Sequence, residues 1–168
     1  NESGMFVTAW MCIIDISTGN MQFANAGHNP PLLKRTDGSF EYLKTRPGLV
    51  LAGMEGIQYR CGELTLQPGD RIFLYTDGVT EATNESNVLF GEERLYNFMN
   101  ENINLEASKL LTSLKNRIVE LVGDAPQYDD ITMLIFDYKP KEMRNVIMNK
   151  VFSAKIEELN NVMGFVES

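Results

Sequence analysis

Arg71-Ile-Phe-Leu-Tyr-Thr-Asp-Gly-Val-Thr-Glu-Ala82 holds a short apolar, aromatic-bearing run that ends in a carboxylate and a glycine. Residues 71–75 read as a strand. The strand is entered through Gln67-Pro-Gly-Asp70, a turn in which proline fixes one φ and glycine supplies another that most residues avoid. Its exit, Asp77-Gly78, sets an acid at the end of a rigid element yet open to solvent. Such a placement suits a hard cation such as Mg²⁺ or Mn²⁺. An Asp-Gly turn is common at strand ends and carries no function by itself. A second acidic pair, Asp129-Asp130, at the edge of another strand-like run, shifts the balance.

Upstream, Met5-Phe-Val-Thr-Ala-Trp-Met-Cys-Ile-Ile-Asp-Ile16 is apolar on both parities: Phe6, Trp10, Cys12, Ile14 and Ile16 on one, Val7, Ala9, Met11 and Ile13 on the other. A strand of that kind is expected to be buried on both faces, which calls for layers. Ser17-Thr-Gly-Asn20 is a tight connection to a partner strand over 21–26, and Gly27-His-Asn-Pro-Pro31 breaks it. Residues 32–35 and 40–43 form a second hairpin around Thr36-Asp-Gly-Ser39. The Gly- and Pro-bearing stretch 47–56 is loop, and 57–66 is extended. Hairpins in succession, with no helix between them, give antiparallel sheets. Helices come only after Asp77. One spans 91–100, with Leu95, Phe98 and Met99 on one side. A second spans 105–122, with Asn104 as N-cap, Leu110, Leu111, Leu114, Ile118 and Leu121 at helical spacing, and Gly123 as its stop. Residues 131–136 are a last buried strand, and the class is α+β.

A chain of 168 residues suffices for one domain with a core. Its net charge of −8 argues against a general nucleic-acid binder. It does not exclude a phosphorylated protein, because bound divalent metal reverses the local field. No apolar run approaches the roughly 20 residues that span a bilayer, and no signal-peptide pattern opens the chain, so a cytoplasmic location is expected. Cys12 and Cys61 stand alone in strand-like segments and read as reduced core residues. The polar stretch that begins near Asp137 opens a linker, assigned to 139–149. Beyond it, 150–168 reads as a strand and an amphipathic helix carrying Ile156, Leu159, Met163 and Val166.

Ala26-Gly-His-Asn-Pro-Pro-Leu32, Leu66-Gln-Pro-Gly-Asp70, Leu74-Tyr-Thr-Asp-Gly-Val-Thr-Glu-Ala82, Phe90-Gly91 and Asp129-Asp-Ile-Thr132 occur in the order and rough spacing of one family. Over residues 5–138 the chain resembles the C-terminal part of the bacterial SpoIIE-type phosphatases, a branch of the metal-dependent type-2C (PPM) serine/threonine protein phosphatases. The resemblance implies an α-β-β-α sandwich of largely antiparallel sheets, truncated here at its N-terminus. It makes Asp77 and Asp129 ligands of one of two Mn²⁺ or Mg²⁺ ions, with Asp130 as a supporting group. The reaction it implies is hydrolysis of phosphoserine or phosphothreonine on a protein by metal-activated water, without a covalent intermediate. An anti-sigma-factor antagonist is the kind of substrate expected. Active members also carry, ahead of this region, a Gly-Asp motif whose Asp bridges both metals. No acid from Glu2 to Asp15 sits in such a motif, so this chain alone is expected to bind metal weakly and turn over little. An uncovered sheet edge, open to pairing with a second copy as a homodimer, follows from the same gap. The 150–168 segment is similar to the opening of GHKL-class anti-sigma-factor serine kinases but stops before any nucleotide-binding motif. A helix docked on its own domain is the other reading, and the residues favour neither.

Three further residues invite a role. His28, the sole histidine, reads as orienting the Gly27–Pro31 turn rather than holding metal, since no Asp or Cys partner is visible. Trp10 belongs to an apolar strand and reads as core. Glu81 either shapes the metal loop or is a solvated loop acid. Residues from Asp77 onward fail as an EF-hand, because Val79 and Ala82 fall where an oxygen ligand and glycine are needed. Two functions remain: a metal-dependent protein phosphatase, or a non-catalytic regulatory module that keeps the fold. The presence of both Asp77 and Asp129 favours the first.

Overall fold

Alternation and turn chemistry place seven strands and two α-helices close to the expected positions, as a computed structural model describing residues 6–44, 46 and 48–139 shows. The 150–168 tail and all but the first residue of the expected linker lie outside the described residues. The chain divides into two units. One runs through Leu74 and takes up the chain again at Phe136; the other spans Tyr75–Ile135.

In the first unit, β1 (Ala9–Ile14) pairs antiparallel with β2 (Asn20–Ala26), setting Ala9 opposite Ala26 and Ile14 opposite Met21. β2 pairs in turn with β5 (Cys61–Thr65), giving a three-stranded sheet in the order β1-β2-β5. A second sheet joins β3 (Leu32–Lys34), β4 (Phe40–Tyr42), β6 (Arg71–Tyr75) and β7 (Met133–Asp137) in the order β4-β3-β6-β7. Met21 and Phe23 from one sheet meet Leu33 and Ile72 from the other in a core that Leu66 and Tyr138 complete. Trp10, Cys12 and Ile14 pack against that core, and the Trp10 ring stacks on Phe23 with centroids 6.0 Å apart.

Three sequence expectations need correction here. β1 is covered on one face only: Met11 and Ile13 are 63% and 68% exposed. Among the described residues the core lies on the Trp10 side, so the second apolar parity faces solvent. Cys61 is exposed, not core, because β5 turns Gly62 and Leu64 inward and Cys61, Glu63 and Thr65 outward. Burial raises the Cys12 thiol pKa. Asp137, expected to open the polar linker stretch, is the last residue of β7, and its carboxylate takes two hydrogen bonds from Arg71 at 2.5 and 3.0 Å.

Two acids, Asp70 and Asp15, secure the turns of this unit. Asp70 is almost fully buried, a position that demands partners. It accepts from the Arg35 guanidinium at 2.6 Å, from the Gln67 N–H at 2.8 Å and from the Thr36 N–H at 3.0 Å. At the β1–β2 turn Gly19 has φ +79, and a Cβ there would lie 2.3 Å from the Leu66 carbonyl, so no other residue fits without movement.

In the second unit α1 (Gly91–Glu101) buries Leu95 and Met99, and α2 (Ala107–Val122) buries Leu110, Leu111, Leu114 and Ile118. Gly123 ends α2 at φ 60, as expected. The start of α2 differs. Glu106, not Asn104, precedes it, without a side-chain cap, because Asn102 to Leu105 make a separate turn closed by Leu105 N–H to the Asn102 carbonyl.

Asp15 is exposed and accepts from the Ser17 hydroxyl at 2.6 Å, the Ser17 N–H at 2.8 Å and the Thr18 N–H at 3.3 Å. The Ser17 hydroxyl first, then the Ser17 N–H, hold its pKa down to about 2. Because the folded pKa lies below the unfolded one, this turn stabilises the fold above about pH 4 and loses that contribution as pH falls toward about 2. An NMR titration is expected to show Asp15 protonating near pH 2 and moving up toward the ordinary carboxylate range in Ser17→Ala. An Asp15 that titrates in the ordinary range in both proteins would contradict the assignment.

Candidate metal centre

Tyr75 ends β6, and the chain then enters a 3₁₀ turn over Asp77–Val79. Three hydrogen bonds fix Thr76 to a distant stretch. Its N–H donates to the Thr132 carbonyl at 3.1 Å, its hydroxyl donates to the Asp130 carbonyl at 3.0 Å, and the same hydroxyl accepts from the Thr132 N–H at 3.0 Å. A hydroxyl can donate once and accept twice, so one side chain serves both strands. Thr76 is thereby a clamp between the exit of β6 and the approach to β7.

The next residues are positioned by that clamp. The Asp77 carbonyl accepts from the Glu81 N–H at 2.8 Å and the Thr80 hydroxyl at 3.2 Å, which rounds off the turn. One Asp77 carboxylate oxygen accepts from the Gly78 N–H at 3.0 Å, and the side chain is otherwise open to solvent. Gly78 is buried, and a Cβ on it would lie 2.6 Å from the Asp130 carbonyl oxygen and 3.4 Å from that of Asp129. The backbone beside Asp77 thus touches the backbone of Asp129 and Asp130. Both carboxylates are exposed. Asp129 is further held by Gln127, whose side-chain amide donates to its carbonyl at 2.6 Å.

Two exposed carboxylates on a shared backbone contact are a donor set for a hard divalent ion, which takes oxygen ligands and keeps several waters. Among the described residues no group of three or more His, Cys, Asp and Glu side chains gathers at one place. The set fits such an ion as part of a coordination shell. What Asp130 contributes in this structure is its main-chain oxygen. Glu81 lies one turn from Asp77 with its side chain in solvent.

His28 belongs to the first unit. Asn25, which is buried, accepts the His28 N–H and donates to the His28 carbonyl, both at 2.8 Å. The imidazole Nδ1 lies 3.0 Å from the Thr8 hydroxyl. These bonds organise the 27–31 turn. Sequence reading passed over Asn25, Thr76 and the closeness of Gly78 to the second acidic pair. The signal for Thr76 was a β-branched hydroxyl between the strand end and Asp-Gly, a position the sequence reading left without a role.

The model for the family described as Stage II sporulation protein E (SpoIIE) matches residues 1–139. The chain belongs to the SpoIIE family. It is similar to the phosphoserine phosphatase RsbU of Bacillus subtilis, 27% identical over 139 residues, which are 82% of this chain and 41% of RsbU. Among solved structures it is similar to the SiaA-PP2C domain of Pseudomonas aeruginosa, with TM-score 0.67 and 24% identity over 79% of this chain and 52% of that one. The phosphatase domain of the cell fate determinant SpoIIE from Bacillus subtilis, presoaked with Mn, gives TM-score 0.60 and 16% identity over 79% of this chain and 56% of that one. These likenesses establish the expected class, a mixed α+β fold with two antiparallel sheets. This SpoIIE-family chain spans less than half of RsbU and about half of each solved domain.

The contact at Gly78 is open to test. Gly78→Ala forces a methyl against the Asp130 carbonyl and is expected to cost about 1–3 kcal/mol in urea unfolding. Gly38→Ala, whose Cβ would meet the Arg35 Cβ at an ordinary 3.5 Å, is expected to lose no stability. Equal stability of the two variants would mean that residue 78 is not against the 129–130 backbone.

Proposed function

We propose that this chain is part of a metal-dependent protein serine/threonine phosphatase, with Asp77 and Asp129 as carboxylate ligands of one Mn²⁺ or Mg²⁺ ion. The observation that supports the reading is the Gly78 contact with the Asp129–Asp130 backbone, which brings together the main chain beside two acids 52 positions apart. Membership of the SpoIIE family and likeness to a phosphoserine phosphatase support the reaction class. A manganese-soaked relative of the same fold supports the ion.

The bound ion would supply polarisation of the phosphoryl oxygens and a more acidic water. The protein's own part is to hold the carboxylates apart from the core, exposed, on backbone that Thr76 and Gly78 fix in advance. Two carboxylates are fewer ligands than such an ion takes. The chain by itself is therefore expected to bind metal weakly and to turn over slowly.

The substrate is proposed to be a phosphorylated regulatory protein of the anti-sigma-factor-antagonist kind, a choice that rests on the family resemblance. A homodimer through the β1 edge belongs to the same proposal: β1 is the outer strand of its sheet and presents Met11 and Ile13 to solvent. No helix of the described residues is long and apolar enough to cross a membrane. A cytoplasmic setting is proposed on composition.

In the full-length protein, Mn²⁺-dependent release of phosphate from a phosphoserine protein is expected to fall by at least about 100-fold in Asp77→Asn and in Asp129→Asn. EDTA is expected to abolish it in the parent. Full activity in either variant would remove that acid from the site. No turnover in the parent under any divalent ion would favour the non-catalytic module.

A further inference from the structure

The second unit contains a groove of about 590 Å³ that begins at the candidate metal centre, since Gly78 and Asp129 both line it. Ile118, on α2, and Ile131 contribute apolar surface to its lining. Leu89, Val119 and Tyr128 also line it while remaining open to solvent, Val119 at 56% and Tyr128 at 81% exposure. Among the described residues Glu81 and Asp129 are its only charged lining residues, with no Lys, Arg or His. Clustered apolar side chains left in water beside a reactive centre mark a binding surface more often than scattered single ones do. An acidic border without basic residues favours a cationic partner.

We infer that this groove takes the stretch of the phosphoprotein substrate next to its phosphoserine, and that it selects a large aliphatic residue together with a Lys or Arg. The inference rests on the phosphatase reading above, which places the phosphoryl group at Asp77 and Asp129. A chain running on from that point reaches the groove at once, because Asp129 belongs to both. The aliphatic side chain loses water against Val119, Tyr128 and Ile131. The cationic one meets Glu81. Val119 and Tyr128 are then specificity-determining residues, acting on how the substrate sits rather than on the phosphoryl group.

The test uses the full-length protein with Mn²⁺ and two synthetic phosphoserine peptides, one with leucine and arginine beside the phosphoserine and one with serine and glycine in their place. Binding is followed by fluorescence anisotropy and hydrolysis by phosphate release. The leucine–arginine peptide is expected to bind about tenfold more tightly and to show the lower KM. Val119→Ser with Tyr128→Ser is expected to erase that preference, and Glu81→Gln to reduce the part due to arginine. Met54→Ser, an exposed apolar change in the first unit, is expected to leave it intact. Hydrolysis of both peptides with equal KM, or a preference that survives the double substitution, overturns the groove assignment while leaving the phosphatase reading in place. Selective binding without hydrolysis supports the groove and overturns the phosphatase reading. Loss of self-association in the double variant, with no effect on either peptide, would make the occupant a second copy of the chain and overturn the inference.

Discussion

The hydroxyl of Thr76 is the small group on which the site depends. It joins two stretches of chain separated by more than fifty residues, donating a hydrogen bond to the Asp130 carbonyl and accepting one from the Thr132 N–H. Those main-chain groups lie where the edge of β7 begins, and leaving them unmade would cost more than the bonds add. The clamp leaves little freedom for the turn that follows. Gly78 must pass against the Asp130 carbonyl, so the residue before it is delivered to the neighbourhood of Asp129 with no long side chain needed to bridge the gap.

Electrostatics gives the arrangement its meaning. Like charges that approach one another repel, and on a chain of net charge −8 no ion pair among the described residues offsets the charge of either acid. Structural acids in this protein look different. Asp70 is buried and meets a guanidinium and two N–H groups, and Asp137 is paired with Arg71. Asp77 and Asp129 have exposed carboxylates, and neither forms an ion pair among the described residues. Carboxylates set on rigid backbone and left without protein cations are the ones a hard metal ion can use. The same absence of basic residues along the neighbouring groove carries this logic to the peptide beside the phosphate.

How much of this was legible in the sequence differs from element to element. β6 came out with its bounds unchanged, because Arg71 followed by four apolar and aromatic residues between a Pro-Gly turn and Asp-Gly leaves few alternatives. α2 kept its apolar stripe and its glycine stop, but its start moved, since an asparagine near a helix end serves a turn as readily as a cap. β1 misled for a different reason. Alternation shows which residues share a face, while the presence of something to cover that face is a tertiary fact, and Met11 and Ile13 are exposed. Cys61 failed likewise, since a lone cysteine in a strand does not announce its parity. Asp77 and Asp129 were legible as chemistry. Their sharing of one ion came from the family resemblance, while the backbone contact at Gly78 was not legible, because the bonds around it come from main-chain groups and one threonine.

The central claim is that Asp77 and Asp129 reach a single cation. Mn²⁺ added in small amounts to the isotopically labelled protein broadens nearby amide signals even when binding is weak, so an NMR titration addresses it directly. The account expects the signals of residues 77–78 and 129–130 to broaden together at the same Mn²⁺ concentration, and Asp129→Asn to suppress the effect at 77–78 as well as at its own position. Broadening of one stretch without the other, or an effect at 77–78 that is untouched by Asp129→Asn, would contradict it.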